Sequence, residues 1–75
     1  MAKIKTAPSM ATEAADNIID YITSNKMLPG DKMPTEAELM TRFGVSRSTI
    51  REAIKTLSAR NILEIRQGSG AYISP

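Results

Sequence analysis

The sequence has no cysteine, no histidine and no tryptophan. Without cysteine the chain can form neither a disulfide framework nor a thiolate metal site. Without histidine it lacks the commonest zinc ligand and the commonest general base, and its remaining hydroxyls, lysines and acids are scattered along the chain. We therefore predict a protein that is not an enzyme and that holds no metal and no cofactor.

Long apolar runs are missing as well. No run approaches the length that spans a membrane, and Met1–Met10 lacks the apolar core of a signal peptide. We therefore expect a cytoplasmic protein with no membrane partner. A chain of 75 residues has room for one small domain and hardly for an enclosed ligand pocket. Residues 1–8 are polar or small and aperiodic, which predicts a flexible N-terminal tail before a domain at 9–75.

The net charge of +2 is unevenly distributed. Residues 6–41 carry six acidic and two basic side chains, whereas residues 42–75 carry six basic and two acidic ones. Such an asymmetry indicates that the second half faces a polyanion. The alternative is chance unevenness in a short chain, and charge alone does not decide between the two.

The first predicted helix extends from about Met10 to Ser24, with Ser9 as its N-cap and Asn25 near its C-terminus. Its apolar residues follow the i, i+3, i+4, i+7 spacing of one helix face. They are Ala15, Ile18, Ile19 and Ile22.

A second helix is predicted from about Glu36 to Phe43. Thr35 and Glu38 have the spacing of a capping box, in which each side chain accepts a hydrogen bond from the backbone N–H of the other residue. Gly44-Val45 then interrupts the helical pattern. Two helices joined by a short glycine-containing turn predict a helix-turn-helix.

The third helix of this motif begins after Ser46, a good N-cap, and ends near Arg60. Its apolar face again has the i, i+3, i+4, i+7 spacing. The residues of that face are Ile50, Ala53, Ile54 and Leu57.

After the helices the period changes from 3.6 to 2, which predicts two short strands at 62–66 and 71–73 with a glycine-rich tip between them. We expect Leu63, Ile65 and Ile73 to anchor this hairpin on the core. The predicted fold class is therefore mainly α with a small β-hairpin, a winged helix-turn-helix of three helices plus a wing.

The start of the third helix carries the candidate site. Arginine can donate two hydrogen bonds to guanine, hydroxyls suit phosphates or base edges, and a helix N-terminus favours an anion. The candidates are Ser46, Arg47, Ser48, Thr49 and Arg51. The alternative for both arginines is a solvated helix face. For Lys55, the sequence is equally consistent with a phosphate contact and with a solvent-exposed charge that only keeps the surface soluble.

Three motifs resemble those of the gluconate-repressor (GntR) family of bacterial transcriptional regulators. They are LPGDKMPTEAEL at 28–39, FGVSRSTIREAI at 43–54 and RQGSGAYI at 66–73. They occur in the family's order and with its spacing, and they cover most of the chain. The wing-tip sequence is most similar to the FadR-like branch.

The resemblance implies a winged helix domain that binds a double-stranded DNA operator, with the third helix in the major groove and the wing in or beside the minor groove. The residues it implies for DNA contact are Ser46, Arg47, Ser48, Thr49 and Arg51, together with Gln67 and Gly68 of the wing. It also implies a larger regulator, often a repressor, that continues into an effector domain and binds an inverted repeat as a homodimer.

The apolar residues that the patterns identify are largely used in one core, so we expect this chain by itself to be monomeric. One position departs from the family. Many members have a DNA-contacting arginine where this chain has Ala37, so either that contact is lost or a cation such as Lys32 or Arg42 replaces it. The rival function is a winged helix that contacts protein, which would favour an apolar or acidic third helix.

Overall fold

The computed structural model describes residues 9–75, and the predicted tail at 1–8 lies outside the described residues. The described chain forms three helices and a two-stranded antiparallel sheet, as predicted. They are α1 (Met10–Ser24), α2 (Glu36–Phe43), α3 (Arg47–Ala59), β1 (Leu63–Arg66) and β2 (Gly70–Ile73). Among the described residues, no helix has the length and hydropathy needed to span a membrane.

Hydrogen bonds at both ends set the limits of α1. The Ser9 hydroxyl accepts from the backbone N–H of Thr12 at 3.1 Å, which satisfies one of the free donors of the first turn. At the other end the Asn25 side-chain amide donates to the carbonyl of Tyr21 at 2.8 Å. Between these ends the helix buries Ala15 and Ile18 and packs mainly against α3.

The predicted capping box begins α2. The backbone N–H of Thr35 donates to Glu38 Oε1 at 2.8 Å, and that of Glu38 donates to Thr35 Oγ1 at 3.1 Å. Gly44 ends the helix in the left-handed conformation, with φ 66°, and donates to the Met40 carbonyl at 2.8 Å. Because glycine has no Cβ, this conformation costs little, and the chain turns sharply enough for Ser46 to begin α3.

The wing is a hairpin whose register pairs Leu63 with Ile73 and Arg66 with Gly70. The loop between α1 and α2 lies against the free edge of β2. There Ile73 N–H donates to the Asp31 carbonyl, and Met33 N–H donates to the Ala71 carbonyl, both at 2.8 Å. The wing sheet is therefore extended by a short segment that precedes α2.

One core lies between α1, α3, the start of the wing and the inner side of α2. No charged or polar side chain is buried among residues 9–75. The large side chains that are almost fully buried are Ile18, Leu39, Ile50, Leu57 and Leu63.

The prediction that Ile65 anchors the hairpin on the core is wrong. Leu63 is 2% exposed and Ile73 8%, as predicted, but Ile65 is 51% exposed. Ile65 has the same strand orientation as Leu63, yet it lies two pairs nearer the tip. Its partner Ala71 is still buried at that level, so the core ends earlier along β1 than along β2, and Ile65 lines the cleft between α3 and the wing.

Candidate nucleic-acid interface

The N-terminus of α3 presents a cluster of hydroxyl groups. Ser46 Oγ accepts from the backbone N–H of Thr49 at 3.2 Å, so the residue is the helix cap. The same oxygen lies 3.0 Å from Thr49 Oγ1 and 3.2 Å from Ser48 Oγ. Ser46 and Ser48 are exposed and Thr49 is half-buried. The hydroxyls therefore surround the positive end of a helix dipole, an arrangement that favours an anion.

Two arginines project from the first turns of α3 and share one carboxylate. Arg47 Nη1 lies 2.8 Å from Glu36 Oε1, and Arg51 Nε lies 3.1 Å from Glu36 Oε2. The side chains of Arg47 and Arg51 remain 53% and 63% exposed, whereas that of Glu36 is 31% exposed. Glu36, the first residue of α2, thus fixes both guanidinium groups while most of their surface remains accessible.

A cleft of about 670 Å³ separates α3 from the wing. Arg47, Arg51 and Lys55 line the α3 side, and the wing tip with Gln67 and Gly68 lines the other. The structure therefore brings five of the predicted site residues around one cleft. The other three, Ser46, Ser48 and Thr49, lie at the adjacent N-terminus of α3.

The cleft is strongly cationic. Its lining includes five basic side chains and a single acidic one, Glu36. The basic residues are Lys32, Arg47, Arg51, Lys55 and Arg66. Half-exposed Ile65 also lines this cleft, which gives it an apolar surface. A charged, partly apolar groove of this kind suits a sugar–phosphate backbone, whose phosphates are anionic and whose sugars are less polar.

Side-chain contacts order the wing next to this cleft. The Arg66 guanidinium lies 4.0 Å from the centre of the Tyr72 ring and donates to Glu64 Oε1. The hydroxyls of Ser69 and Tyr72 are hydrogen-bonded to each other. At the tip Gly68 has φ 76° and a Cβ there would meet no atom within 4 Å, so the tip is slim and protrudes into open space.

Sequence reasoning missed the role of Glu36. Its partners are 11 and 15 residues away, so no local spacing links them. Only the crossing of α2 and α3 brings the carboxylate between the two guanidinium groups. The sequence signal that existed was weak: an acidic residue one position after an N-cap is ordinarily explained by the helix dipole alone.

A helix-turn-helix whose second helix exposes arginines, followed by a hairpin across a cationic cleft, defines the winged helix class of DNA-binding domains. Residues 10–73 match the gntR family of bacterial regulatory proteins. The chain belongs to this family, and its fold is that of the family's DNA-binding domains. The family and its curated relatives are transcriptional regulators and not enzymes, which agrees with the prediction from the sequence.

Two curated relatives illustrate the match. The chain is 48% identical over 61 residues to the mannosyl-D-glycerate transport/metabolism system repressor MngR of Escherichia coli, covering 81% of this chain and 25% of the repressor. It is 38% identical over 72 residues to the arabinose metabolism transcriptional repressor of Geobacillus stearothermophilus, covering 96% and 20%. The chain thus spans about a quarter or less of the length of these relatives.

Solved structures agree in fold. Streptococcus agalactiae GntR superposes with a TM-score of 0.82 at 48% identity, over 85% of this chain and 31% of that one. The AraR DNA-binding domain in complex with operator ORE1 also gives 0.82, at 36% identity over 99% and 93% of the two chains. The AraR domain in that structure is bound to operator DNA.

Proposed function

We propose that this DNA-binding domain recognises an operator by inserting the first turns of α3 into the major groove while the wing lies in or beside the minor groove. The observation that carries the proposal is the pair of exposed guanidinium groups, Arg47 and Arg51, that Glu36 fixes at one side of a cationic cleft. A fixed guanidinium has the planar donor geometry that reads guanine.

Each candidate residue then has a defined role. Arg47 and Arg51 contact base edges, and Lys55, one turn further along the same side of α3, contacts a phosphate. The hydroxyls of Ser46, Ser48 and Thr49 bind the phosphates or base edges nearest the start of the helix. Gln67 and the backbone of Gly68 reach the minor groove, whose width of about 6 Å admits a slim tip.

We further propose that the intact regulator is a homodimer that binds an inverted repeat and represses transcription on the nucleoid in the bacterial cytoplasm. Support comes from the repressor names of MngR and the arabinose repressor, and from the rule that a two-fold symmetric protein matches a two-fold symmetric site.

A selection experiment tests DNA recognition directly. The chain is incubated with a pool of randomised duplexes, bound DNA is sequenced, and the enriched duplex is compared with a mixed-sequence duplex in rising salt. We expect an enriched motif and an affinity that falls steeply with salt, because phosphate contacts release counterions. If no duplex were enriched and the chain bound no DNA, the rival function as a protein-contact domain would be supported instead.

Replacing Glu36 with glutamine should reduce discrimination while raising general affinity. The neutral amide no longer fixes the two arginines, and one negative charge leaves the cleft. We expect the ratio of affinities for the enriched and mixed-sequence duplexes to fall about twofold to tenfold, since each exposed ion pair is worth up to about 1 kcal/mol. Affinity for the mixed-sequence duplex should rise.

Glu52→Gln is the matched control for this variant. It removes the same charge from exposed α3 surface, and none of the ion pairs of the described residues involves Glu52. It should raise affinity for both duplexes without changing their ratio. If Glu36→Gln also left the ratio unchanged, the carboxylate would have no part in positioning the arginines.

The 75-residue chain should sediment as a monomer. Within residues 9–75 the exposed large apolar side chains, Met10, Leu28 and Ile65, lie on α1, on the α1–α2 loop and on the wing. They do not belong to one element that could form a continuous apolar face. Analytical ultracentrifugation without DNA checks this, and a tight dimer would contradict it.

A further inference from the structure

Lys32 lies in the α1–α2 loop, which hydrogen bonds hold against the wing. Its neighbours Asp31 and Met33 are bonded to β2 through Ile73 and Ala71 at 2.8 Å, and Lys32 itself forms a β-bridge with Tyr72. The backbone at Lys32 is therefore held against β2 in the manner of a strand residue.

The side chain of Lys32 has a defined course across the hairpin. A Cβ at Gly70 would lie 3.3 Å from Lys32 Cε, so the absence of a side chain at Gly70 leaves room for the lysine to pass. Its Nζ lies 6.0 Å from the centre of the Tyr72 ring, which Arg66 contacts from 4.0 Å. One aromatic ring is thus near two of the cations that line the cleft.

The charge of Lys32 is not compensated. In residues 9–75, the ion pairs join Arg47 and Arg51 to Glu36, and Arg66 to Glu64. None of them involves Lys32. A cation without a carboxylate partner, beside other cations on a cleft wall, raises the local positive potential and attracts an anion.

The position of Lys32 relative to Ala37 also bears on the positive potential of the cleft. Lys32 and Ala37 both line the cleft between α3 and the wing. Arg42, the other cation that could replace a missing arginine at position 37, does not line this cleft, although it lines a separate groove together with Lys32 and Ala37. Its guanidinium lies 4.8 Å from the centre of the Tyr21 ring, on the side of α1.

We propose that Lys32 binds a backbone phosphate of the DNA strand that occupies this cleft and supplies the positive charge that Ala37 does not. The inference rests on the DNA recognition proposed above. The contact is with phosphate and not with a base, because Lys32 lies on the wing side of the cleft, away from the α3 surface that enters the major groove. An ammonium also lacks the planar fork that reads guanine.

The test compares Lys32→Gln with Arg42→Gln, since each removes one positive charge. Affinity for a mixed-sequence duplex and for the enriched duplex is measured by fluorescence anisotropy over a range of salt. A plot of log affinity against log salt has a negative slope, and loss of one phosphate contact should make that slope shallower by about 0.9. The gain in affinity between 1 M and 0.1 M salt should then be about eightfold smaller than in the parent. We expect this loss for Lys32→Gln, by the same factor on both duplexes, and the parental slope for Arg42→Gln.

Two further variants make the result unambiguous. Lys32→Arg keeps the charge and should keep the slope. Adding Ala37→Arg to Lys32→Gln should restore it, because position 37 lines the same cleft. Lys32 is exposed and its loop is held by backbone bonds, so thermal midpoints should stay near that of the parent.

The inference is overturned if Lys32→Gln keeps the parental slope, if its loss is confined to the enriched duplex, or if Arg42→Gln loses as much. It is also overturned if Ala37→Arg restores nothing. Failure of the parent chain to bind either duplex would instead contradict the proposed function itself, so the two failures are distinguishable.

Discussion

Replacing Arg51 with alanine should weaken binding to the enriched duplex by about 5-fold to 150-fold, which corresponds to about 1–3 kcal/mol. Binding to a mixed-sequence duplex should weaken much less. The guanidinium is 63% exposed, lies in the first turns of α3 and is held by Glu36 through Nε, so its two terminal nitrogens remain available to a base. Removing it leaves the guanine acceptors without their donors.

Two variants sharpen this result. Arg51→Lys keeps the positive charge but loses the planar pair of guanidinium donors. It should therefore bind the mixed-sequence duplex as the parent does but distinguish it poorly from the enriched duplex. Arg60→Ala removes an arginine from the C-terminal end of α3, outside the lining of the cleft, and should change discrimination little. Equal losses on both duplexes for Arg51→Ala would reassign Arg51 to phosphate contact. No loss on either would remove it from the interface.

The helix limits were predictable because their determinants are local. Ser9 and Ser46 accept from backbone N–H groups three residues ahead, and Thr35 and Glu38 satisfy each other within one turn. Gly44 takes the left-handed conformation that follows from having no Cβ. Signals of this kind require no knowledge of the rest of the fold, so sequence spacing alone identified them.

The remaining features depend on how the elements pack. Glu36 meets its arginines only because α2 crosses α3, and Lys32 joins the wing only because β2 has a free edge beside the α1–α2 loop. The exposure of Ile65 has the same origin, since strand alternation predicts which face a residue is on but not where the core ends. These features were therefore not available from sequence patterns.

A substitution at the wing tip should also weaken DNA binding strongly. Gly68→Val should weaken DNA binding about tenfold more than Gly30→Val does, a difference of about 1.4 kcal/mol. Gly30 is the matched control, because it also has a positive φ, 90° against 76°, and in both cases a Cβ would meet no atom within 4 Å. Each substitution therefore strains the backbone by a similar amount, about 1–2 kcal/mol, without a steric clash inside the protein.

The two glycines differ in what surrounds them when DNA is bound. Gly68 lines the cleft at the tip of the wing and Gly30 does not. A branched side chain at Gly68 would widen a tip that must enter a groove about 6 Å across. One at Gly30 would lie on the α1–α2 loop, outside the cleft lining. Affinity is measured at a temperature where circular dichroism shows both variants folded, so the shared backbone strain cancels in the comparison.

Gln67→Ala completes the test of the wing. The Gln67 amide is exposed beside Gly68 and offers both donors and an acceptor, so its loss should lower affinity modestly. The loss should be similar on the enriched and mixed-sequence duplexes, because minor-groove edges distinguish base pairs poorly. If Gly68→Val bound no worse than Gly30→Val and Gln67→Ala bound like the parent, the hairpin would serve only to close the fold, and recognition would rest on α3 alone.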